Sequence, residues 1–421
     1  MQGATGVRAN QLAGLADAIA RVARLDMPAD KALSAFFRAH QAMGRHDRAF
    51  VAEGAFAYLR RKRSLEALAG GTNARRLALV VAMRELGHSL RDLDGALKRD
   101  EGAWLADVKR QPRIDDGAVG ADAPDWLWTR MGEVYGEAER APLTRAWQTS
   151  APFDLRVNVL KATRGDALAA LAASGIDATP TPYAPLGIRV RGRPSLAGHR
   201  WLADGRLEVQ DEGSQLIGHL VAPRRTDMVV DFCAGAGGKT LLLGALMRSQ
   251  GRLYAFDASA TRLANFAPRL ARSGLTNVHP QAIAHERDAR VKRLAGKIDR
   301  VLVDAPCTGF GTLRRNPDLK WRQQPSDVTE LAAKQSRILD AAAALLKPGG
   351  RVVYATCSVL PDENDAIVDG FLAVHPEFAQ KDAAAEFARA GIALDTGPRL
   401  RVFPHRHRCD GFFAAVLERA K

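Results

Sequence analysis

Met228-Val229-Val230-Asp231-Phe232-Cys233-Ala234-Gly235-Ala236-Gly237-Gly238-Lys239-Thr240 is a short apolar run, a glycine-rich turn and the opening of a helical segment, Leu241–Met247. A strand passing through a tight turn into a helix is the building unit of open parallel sheets. Outward from this stretch the alternation repeats. The apolar runs Leu253–Phe256, Arg300–Val303 and Arg351–Ala355 are interspersed with helical segments such as Ala332–Leu346 and Glu363–Leu372. Runs that are apolar on both faces predict a mostly parallel sheet with helices on both sides. The closing run, Gly411-Phe412-Phe413-Ala414-Ala415-Val416-Leu417, reads as a last strand at the sheet edge.

The glycine turn restricts the ligand. Its glycines let the backbone approach a bound group closely, and the helix start offers free N–H groups. A phosphate-binding loop of the Walker type needs a glycine where Cys233 stands. A dinucleotide fingerprint needs its third glycine where Thr240 stands. An S-adenosylmethionine loop fits better. It needs an acidic residue after the next strand for the ribose hydroxyls, and Asp257 stands about 20 residues downstream as that contact requires.

Upstream, Gln11 to Leu97 has helical periodicity. Leu12, Leu15, Ala16 and Ile19 share one face, as do Val51, Ala55, Tyr58 and Leu59. The run Arg60-Arg61-Lys62-Arg63 closes one such helix, either as a solvated terminus or as an RNA contact. Gln111–Pro124, rich in Asp, Gly and Pro, reads as a linker. From Asp125 to Gly205, helical stretches mix with alternating pieces at Leu155–Leu160 and Gly187–Val190, which suggests a small α+β module.

Composition narrows the class. The 421 residues exceed one compact core, so two or three domains are expected. Lys and Arg number 61 against 47 Asp and Glu, a net charge of +14. That excess suits a polyanion, because each neutralised phosphate releases counterions; an arginine-rich solvated surface gives the same count. Met1–Ala20 has no leader pattern, and no run reaches about 18 apolar residues, so a cytoplasmic location without membrane insertion is expected. The four cysteines, Cys233, Cys307, Cys357 and Cys409, form no CxxC pair, so neither a metal site nor a disulfide framework is expected.

Two of those thiols sit at predicted strand ends, in Val301-Leu302-Val303-Asp304-Ala305-Pro306-Cys307 and in Val352-Val353-Tyr354-Ala355-Thr356-Cys357-Ser358. Parallel strands bring such ends to one ligand crevice. A thiolate is a strong nucleophile and is partly ionised near neutrality. Added at C6 of cytosine, it converts an inert C5 into an enamine carbon able to attack a sulfonium methyl. Asp304 is suited to hydrogen-bond the N3/N4 edge of that base as the adduct forms. Cys233 is read as contributing only backbone to the loop, and Cys409 as structural.

In this order the motifs resemble the Sun-type RNA (cytosine-5) methyltransferases, most closely the bacterial small-subunit rRNA methyltransferase B group. The resemblance runs from about Asp125 to the C-terminus. It is carried by Arg156-Val157-Asn158, Gln210-Asp211-Glu212-Gly213-Ser214-Gln215, the Cys233–Thr240 loop, Asp304–Cys307, Arg315-Asn316-Pro317-Asp318 with Lys320-Trp321, Tyr354–Ser358 and Asp410-Gly411-Phe412-Phe413. It implies a multidomain α/β chain. Residues 1–123 would form a shortened, all-helical NusB-like RNA-binding domain, 124–206 a small α+β RNA-binding module, and 207–421 a Rossmann-like S-adenosylmethionine-dependent catalytic domain. The implied reaction methylates C5 of a cytosine in RNA, with small-subunit rRNA ahead of tRNA or another RNA as substrate.

The same resemblance makes Cys357 the nucleophile and Cys307 the thiol that assists product release, the reverse of DNA cytosine methyltransferases. Cofactor contacts fall on Cys233, Ala234, Gly235, Ala236, Gly237, Gly238, Lys239, Asp257 and Asp304. The loop departs from the family pattern at Ala236, where proline is usual. The adenine contact falls on His285 by ungapped counting, or on Asp288 with a small shift. Arg314 and Arg315 are candidates for RNA phosphates. A monomer is expected. The rival readings are a nucleotide hydrolase, suggested by Gly238-Lys239-Thr240, and a non-catalytic rRNA-binding assembly factor.

Overall fold

The computed structural model describes residues 6–192, 194–196 and 198–421; the first five residues of the stretch read for a leader lie outside it. The chain divides into two compact units, Met1–Ser150 with Thr312–Gln324, and Ala151–Gly311 with Pro325–Lys421. No helix of the described residues is long and apolar enough to cross a membrane.

The first unit is helical. Its core gathers Leu12, Leu15 and Ile19 from helix Ala9–Val22, Val51, Ala55, Tyr58 and Leu59 from helix Arg45–Arg60, and Leu77–Met83 from helix Ala74–Arg84. The basic run spans a break between two helices rather than closing one: Arg60 ends the first and Lys62–Ala69 is the second. Its cations are spent inside the unit. Arg61 pairs with Glu85 at 3.1 Å, Lys62 with Glu66 at 3.0 Å and Arg63 with Asp125 at 2.6 Å, while Arg60 is buried.

The end of the stretch read as a linker is packed core. Ala121, Asp122 and Ala123 are buried, and Asp122 accepts hydrogen bonds from the Ser64 amide at 2.9 Å and hydroxyl at 2.8 Å. Asp and Gly therefore mark a satisfied buried turn here, not a solvated connection. Segment Thr312–Gln324 also belongs to this core. Lys320 Nζ donates to the Arg60 carbonyl at 2.9 Å, Trp321 Nε1 donates to the Leu59 carbonyl at 2.7 Å, and Asp318 accepts from the Ala29 amide at 3.2 Å. Arg314 is buried and donates to the Ser150 carbonyl at 2.8 Å, so its guanidinium is structural and not the phosphate contact expected of it.

The second unit holds two sheets. In the smaller, β1 (Phe153–Val157), β2 (Ala178–Pro180), β3 (Gly187–Val190) and β4 (Leu207–Val209) run antiparallel in the order β2-β3-β1-β4. Helix Arg164–Ala173, started by a Thr163–Asp166 capping box, covers it with Ala167 and Leu171.

The larger sheet uses β5 (Met228–Asp231), β6 (Arg252–Asp257), β7 (Val278–Ala282), β8 (Ile298–Asp304), β9 (Leu346–Thr356), β10 (Phe378–Lys381), β11 (Leu400–Val402) and β12 (Phe412–Arg419). Its order is β10-β12-β9-β8-β5-β6-β7, with β11 paired to β12. Strands β5 to β9 are parallel to their neighbours, and β12 is antiparallel to β9, β10 and β11. Side chains alternate between two cores. Val229, Leu302, Val353 and Val416 meet Leu216, Leu243 and Phe266 on one face; Val230, Val303, Tyr354 and Phe413 meet Leu339, Val368 and Phe371 on the other. This is the expected Rossmann-like α/β architecture with helices on both faces. One expectation fails: β12 is not an edge strand but lies between β9 and β10. Burial on both faces requires its unbroken apolar run, Phe412–Leu417.

Candidate active site

The sheet's polarity fixes the site. Asp231, Asp257, Asp304 and Thr356 end four parallel strands, β5, β6, β8 and β9, so their following turns open on one crevice. The first turn is the glycine loop. Gly235 and Gly237 have left-handed backbones, with φ of 56° and 80°, and Gly237 lies so close to Phe266 that a Cβ would sit 2.0 Å from the ring. Gly235 instead faces open space. The loop is tied down from several sides: the Ala234 amide donates to the Phe256 carbonyl at 2.8 Å, and the Gly235 amide to Asp257 Oδ2 at 2.8 Å. Two arginines clamp it as well. Buried Arg156, from β1 of the smaller sheet, donates to the Gly238 carbonyl at 2.7 Å and to Gln210 Oε1, and Arg269 donates to the Ala236 carbonyl at 2.6 Å.

Lys239 and Thr240, the residues that suggested nucleotide hydrolysis, are turned to other partners. Lys239 Nζ is 2.8 Å from Asp304 Oδ2, and the Thr240 hydroxyl donates to Asp231 Oδ2 at 2.6 Å. Burial works against the Lys239 charge, but Asp304, and after it Cys357 and Asp231, outweigh that and hold its ammonium above the ordinary value. Three strand-end carboxylates crowd the crevice. Burial first, then Asp304 and Asp257, push Asp231 up to about 7, against the bond from Thr240. A crevice so lined disfavours a triphosphate and suits a cation. Asp231 Oδ1 is buried and has no hydrogen-bond partner among the described residues. The sulfonium and ammonium groups of S-adenosylmethionine fit this acidic lining, and the bare face of Gly235 leaves room beside it.

The two strand-end thiols meet. Cys307 Sγ and Cys357 Sγ are 3.3 Å apart, both half-buried. The contact with Cys357, then burial, then the charges of Cys357 and Glu363 hold the Cys307 thiol well above its ordinary value. The remaining cysteines stay apart from this pair's chemistry: burial raises both Cys233 and Cys409. Of the two residues expected at the adenine, His285 is exposed and accepts from the Arg287 amide, whereas Asp288 folds back to the end of β7, accepting from the Ala284 amide at 2.9 Å and the Arg290 amide at 2.8 Å.

Sequence reading missed two contributors. Asp231 was visible only as part of a strand. Glu363 was visible only as the first residue of a helical segment, yet it is fully buried and bonded to the residue after each thiol.

The sequence model of the family described as 16S rRNA methyltransferase RsmB/F matches residues 219–418, and that of the RsmF/B-like, ferredoxin-like domain matches residues 123–196. A probable ribosomal RNA small subunit methyltransferase B of Synechocystis is 35% identical over 301 residues, covering 70% of this chain and 67% of that protein. The ribosomal RNA small subunit methyltransferase B of Vibrio cholerae is 34% identical over 355 residues, 82% of this chain and 78% of its own length. This chain belongs to the RsmB/F family. It is thus an RNA methyltransferase by family, and its cofactor is S-adenosylmethionine. The match spans about two thirds of the Synechocystis relative and of the Bacillus subtilis one. The RsmB/F assignment agrees with the fold. A crystal structure described as PH0851 superposes with a TM-score of 0.80 at 24% identity, covering 98% of this chain and 99% of that one. A methyltransferase homologue from Pyrococcus horikoshii gives 0.62 at 26% identity over 72% of this chain and 97% of its own.

Proposed function

We propose that the chain transfers a methyl group to C5 of a cytosine in RNA, with small-subunit rRNA as substrate, through a transient bond between Cys357 and C6 of the base. The observation that carries this reading is the 3.3 Å approach of two thiols at the ends of neighbouring parallel strands, beside the Asp304–Lys239 pair. A thiol pair serves no purpose in ordinary methyl transfer to a nitrogen or oxygen, which are nucleophiles already. It answers the need of a pyrimidine carbon that must first be made electron-rich and afterwards released.

The Cys357 thiolate adds to C6, and electron density moves to C5. Asp304, fixed by Lys239, accepts from the cytosine amino edge and holds the ring in register, a role that costs no reorganisation because the pair is preformed. The bound cofactor supplies an electrophilic methyl group to C5. Loss of the C5 proton to solvent water then restores the ring as the Cys357–C6 bond breaks and its electron pair returns to the Cys357 sulfur. Cys307, held protonated beside Cys357, assists that release. Asp257, which fixes the loop through the Gly235 amide, would hold the ribose hydroxyls of the cofactor, and Asp288, folded back to the end of β7, would stand on its adenine side.

The test separates the thiols. Cys357→Ala is expected to abolish turnover and any covalent RNA complex, whereas Cys307→Ala lets an RNA-linked species accumulate on denaturing gels. An adduct trapped without Cys357 would overturn the assignment. Bisulfite sequencing of RNA from a strain lacking the gene identifies the modified cytosine.

A further inference from the structure

The closeness of Cys307 and Cys357 needs a cause, because their two turns come from segments fifty residues apart in the chain. Backbone bonds supply part of it: beyond the last ladder pair, Asp304 with Ala355, the Ala305 amide donates to the Ala355 carbonyl at 2.8 Å and the Gly311 amide to the Cys357 carbonyl at 2.8 Å. Neither bond holds the residues next to Cys307, and there Glu363 acts. Its Oε1 accepts from the Thr308 amide at 2.8 Å, and its Oε2 accepts from the Thr308 hydroxyl at 2.5 Å and from the Ser358 hydroxyl. Thr308 directly follows Cys307, and Ser358 directly follows Cys357. Gln335 Nε2 completes the shell, donating to Oε1 at 3.1 Å and to the Pro306 carbonyl at 2.9 Å. One buried carboxylate therefore holds the residue after each thiol, and the residue before Cys307 through Gln335.

We propose that Glu363 is the positioning residue of the thiol pair, a latch that fixes the Cys307 turn against the Cys357 turn. Its charge adds to the contact with Cys357 and to burial in disfavouring a Cys307 thiolate. The catalytic consequence rests on the two-thiol reading above; the latch itself does not.

The probe is phenylarsine oxide, which forms two As–S bonds with a close dithiol and releases its oxygen as water with the two thiol protons. The wild-type chain is expected to bind one equivalent through Cys307 and Cys357, lost in Cys307→Ala. Glu363→Gln, which removes the charge and turns one of the two acceptor oxygens into a donor NH2 while keeping the side-chain volume, is expected to weaken arsenical binding at least tenfold while adenosylmethionine binding by calorimetry stays within twofold. In the same variant the pH midpoint for iodoacetamide alkylation of Cys307, followed by peptide mass spectrometry, should move down. A passive structural contact would not produce that shift. Ser358→Ala cuts one side of the latch only and serves if Glu363→Gln fails to fold; a smaller loss of arsenical binding is expected. Unchanged arsenical binding and an unchanged alkylation profile in either variant would overturn the proposal. If the latch behaves as stated while Cys357→Ala still methylates RNA, the adduct reading falls and the latch stands.

Discussion

The glycine loop gives a prediction in which two neighbouring alanine substitutions fail for different reasons. Both Gly235 and Gly237 have positive φ, so alanine costs about 1–2 kcal/mol of backbone strain at either place. At Gly235 nothing lies within 4 Å of the new methyl group, so strain is the whole cost to folding. At Gly237 the methyl would sit 2.0 Å from Cδ2 and 2.1 Å from Cε2 of Phe266, a fully buried ring that must move into packed core. Overpacking of that kind adds about 1–3 kcal/mol. The totals are about 1–2 kcal/mol for Gly235→Ala and about 2–5 kcal/mol for Gly237→Ala. For a unit of this size, each kcal/mol lowers the Tm by about 2–4 °C, so falls of about 2–8 °C and about 4–20 °C are expected. Calorimetry with adenosylmethionine should reverse the ranking per degree lost: a Gly235 methyl would take up open space beside the loop where the cofactor is proposed to sit, so Gly235→Ala is expected to lose at least tenfold in affinity despite its milder effect on folding. Equal Tm losses, or a Gly235→Ala variant that binds cofactor normally, would refute the reasoning.

Two further predictions concern pH. Asp231 is held at about 7 when folded against an ordinary 3.8, so its protonated form favours folding below about 4, and that contribution is lost as pH rises through about 7. Asp231→Asn should remove that loss, leaving a flatter Tm profile between about pH 4 and 8. In the helical unit, burial pushes Lys320 down to about 7 from 10.5. The folded state then binds fewer protons than the unfolded one, so the Tm of this unit should rise from pH 7 to pH 9, and Lys320→Met should remove that slope.

Much of this fold was legible because its central strands are apolar on both faces. Val229-Val230, Val301-Leu302-Val303 and Val352-Val353-Tyr354 announce themselves without a helix period. The strand Val278–Ala282 was not found, since His279, Pro280 and Gln281 are exposed at the end of the sheet and carry no apolar signal. The run ending at Leu417 was found but misassigned to an edge; six successive apolar residues, Phe412–Leu417, are the mark of an interior strand. Within the site, residue types reveal chemistry but not satisfaction. Cys307, Cys357 and Asp304 were visible as reactive groups at strand ends. Arg314 looked like a phosphate ligand because nothing in the sequence says that the Ser150 carbonyl claims it. Glu363 was invisible for the complementary reason: its partners, Thr308, Ser358 and Gln335, are assembled only by the fold.

The membership of Thr312–Gln324 in the helical unit bears on how this chain can be recombined with its relatives. The helical part cannot be exchanged as a simple N-terminal block, because Trp321, Lys320 and Asp318 would be left with the bonds they now make to Leu59, Arg60 and Ala29 unmade. A working graft needs three junctions, after Ser150, after Gly311 and after Gln324, with the short internal piece travelling alongside the long terminal one.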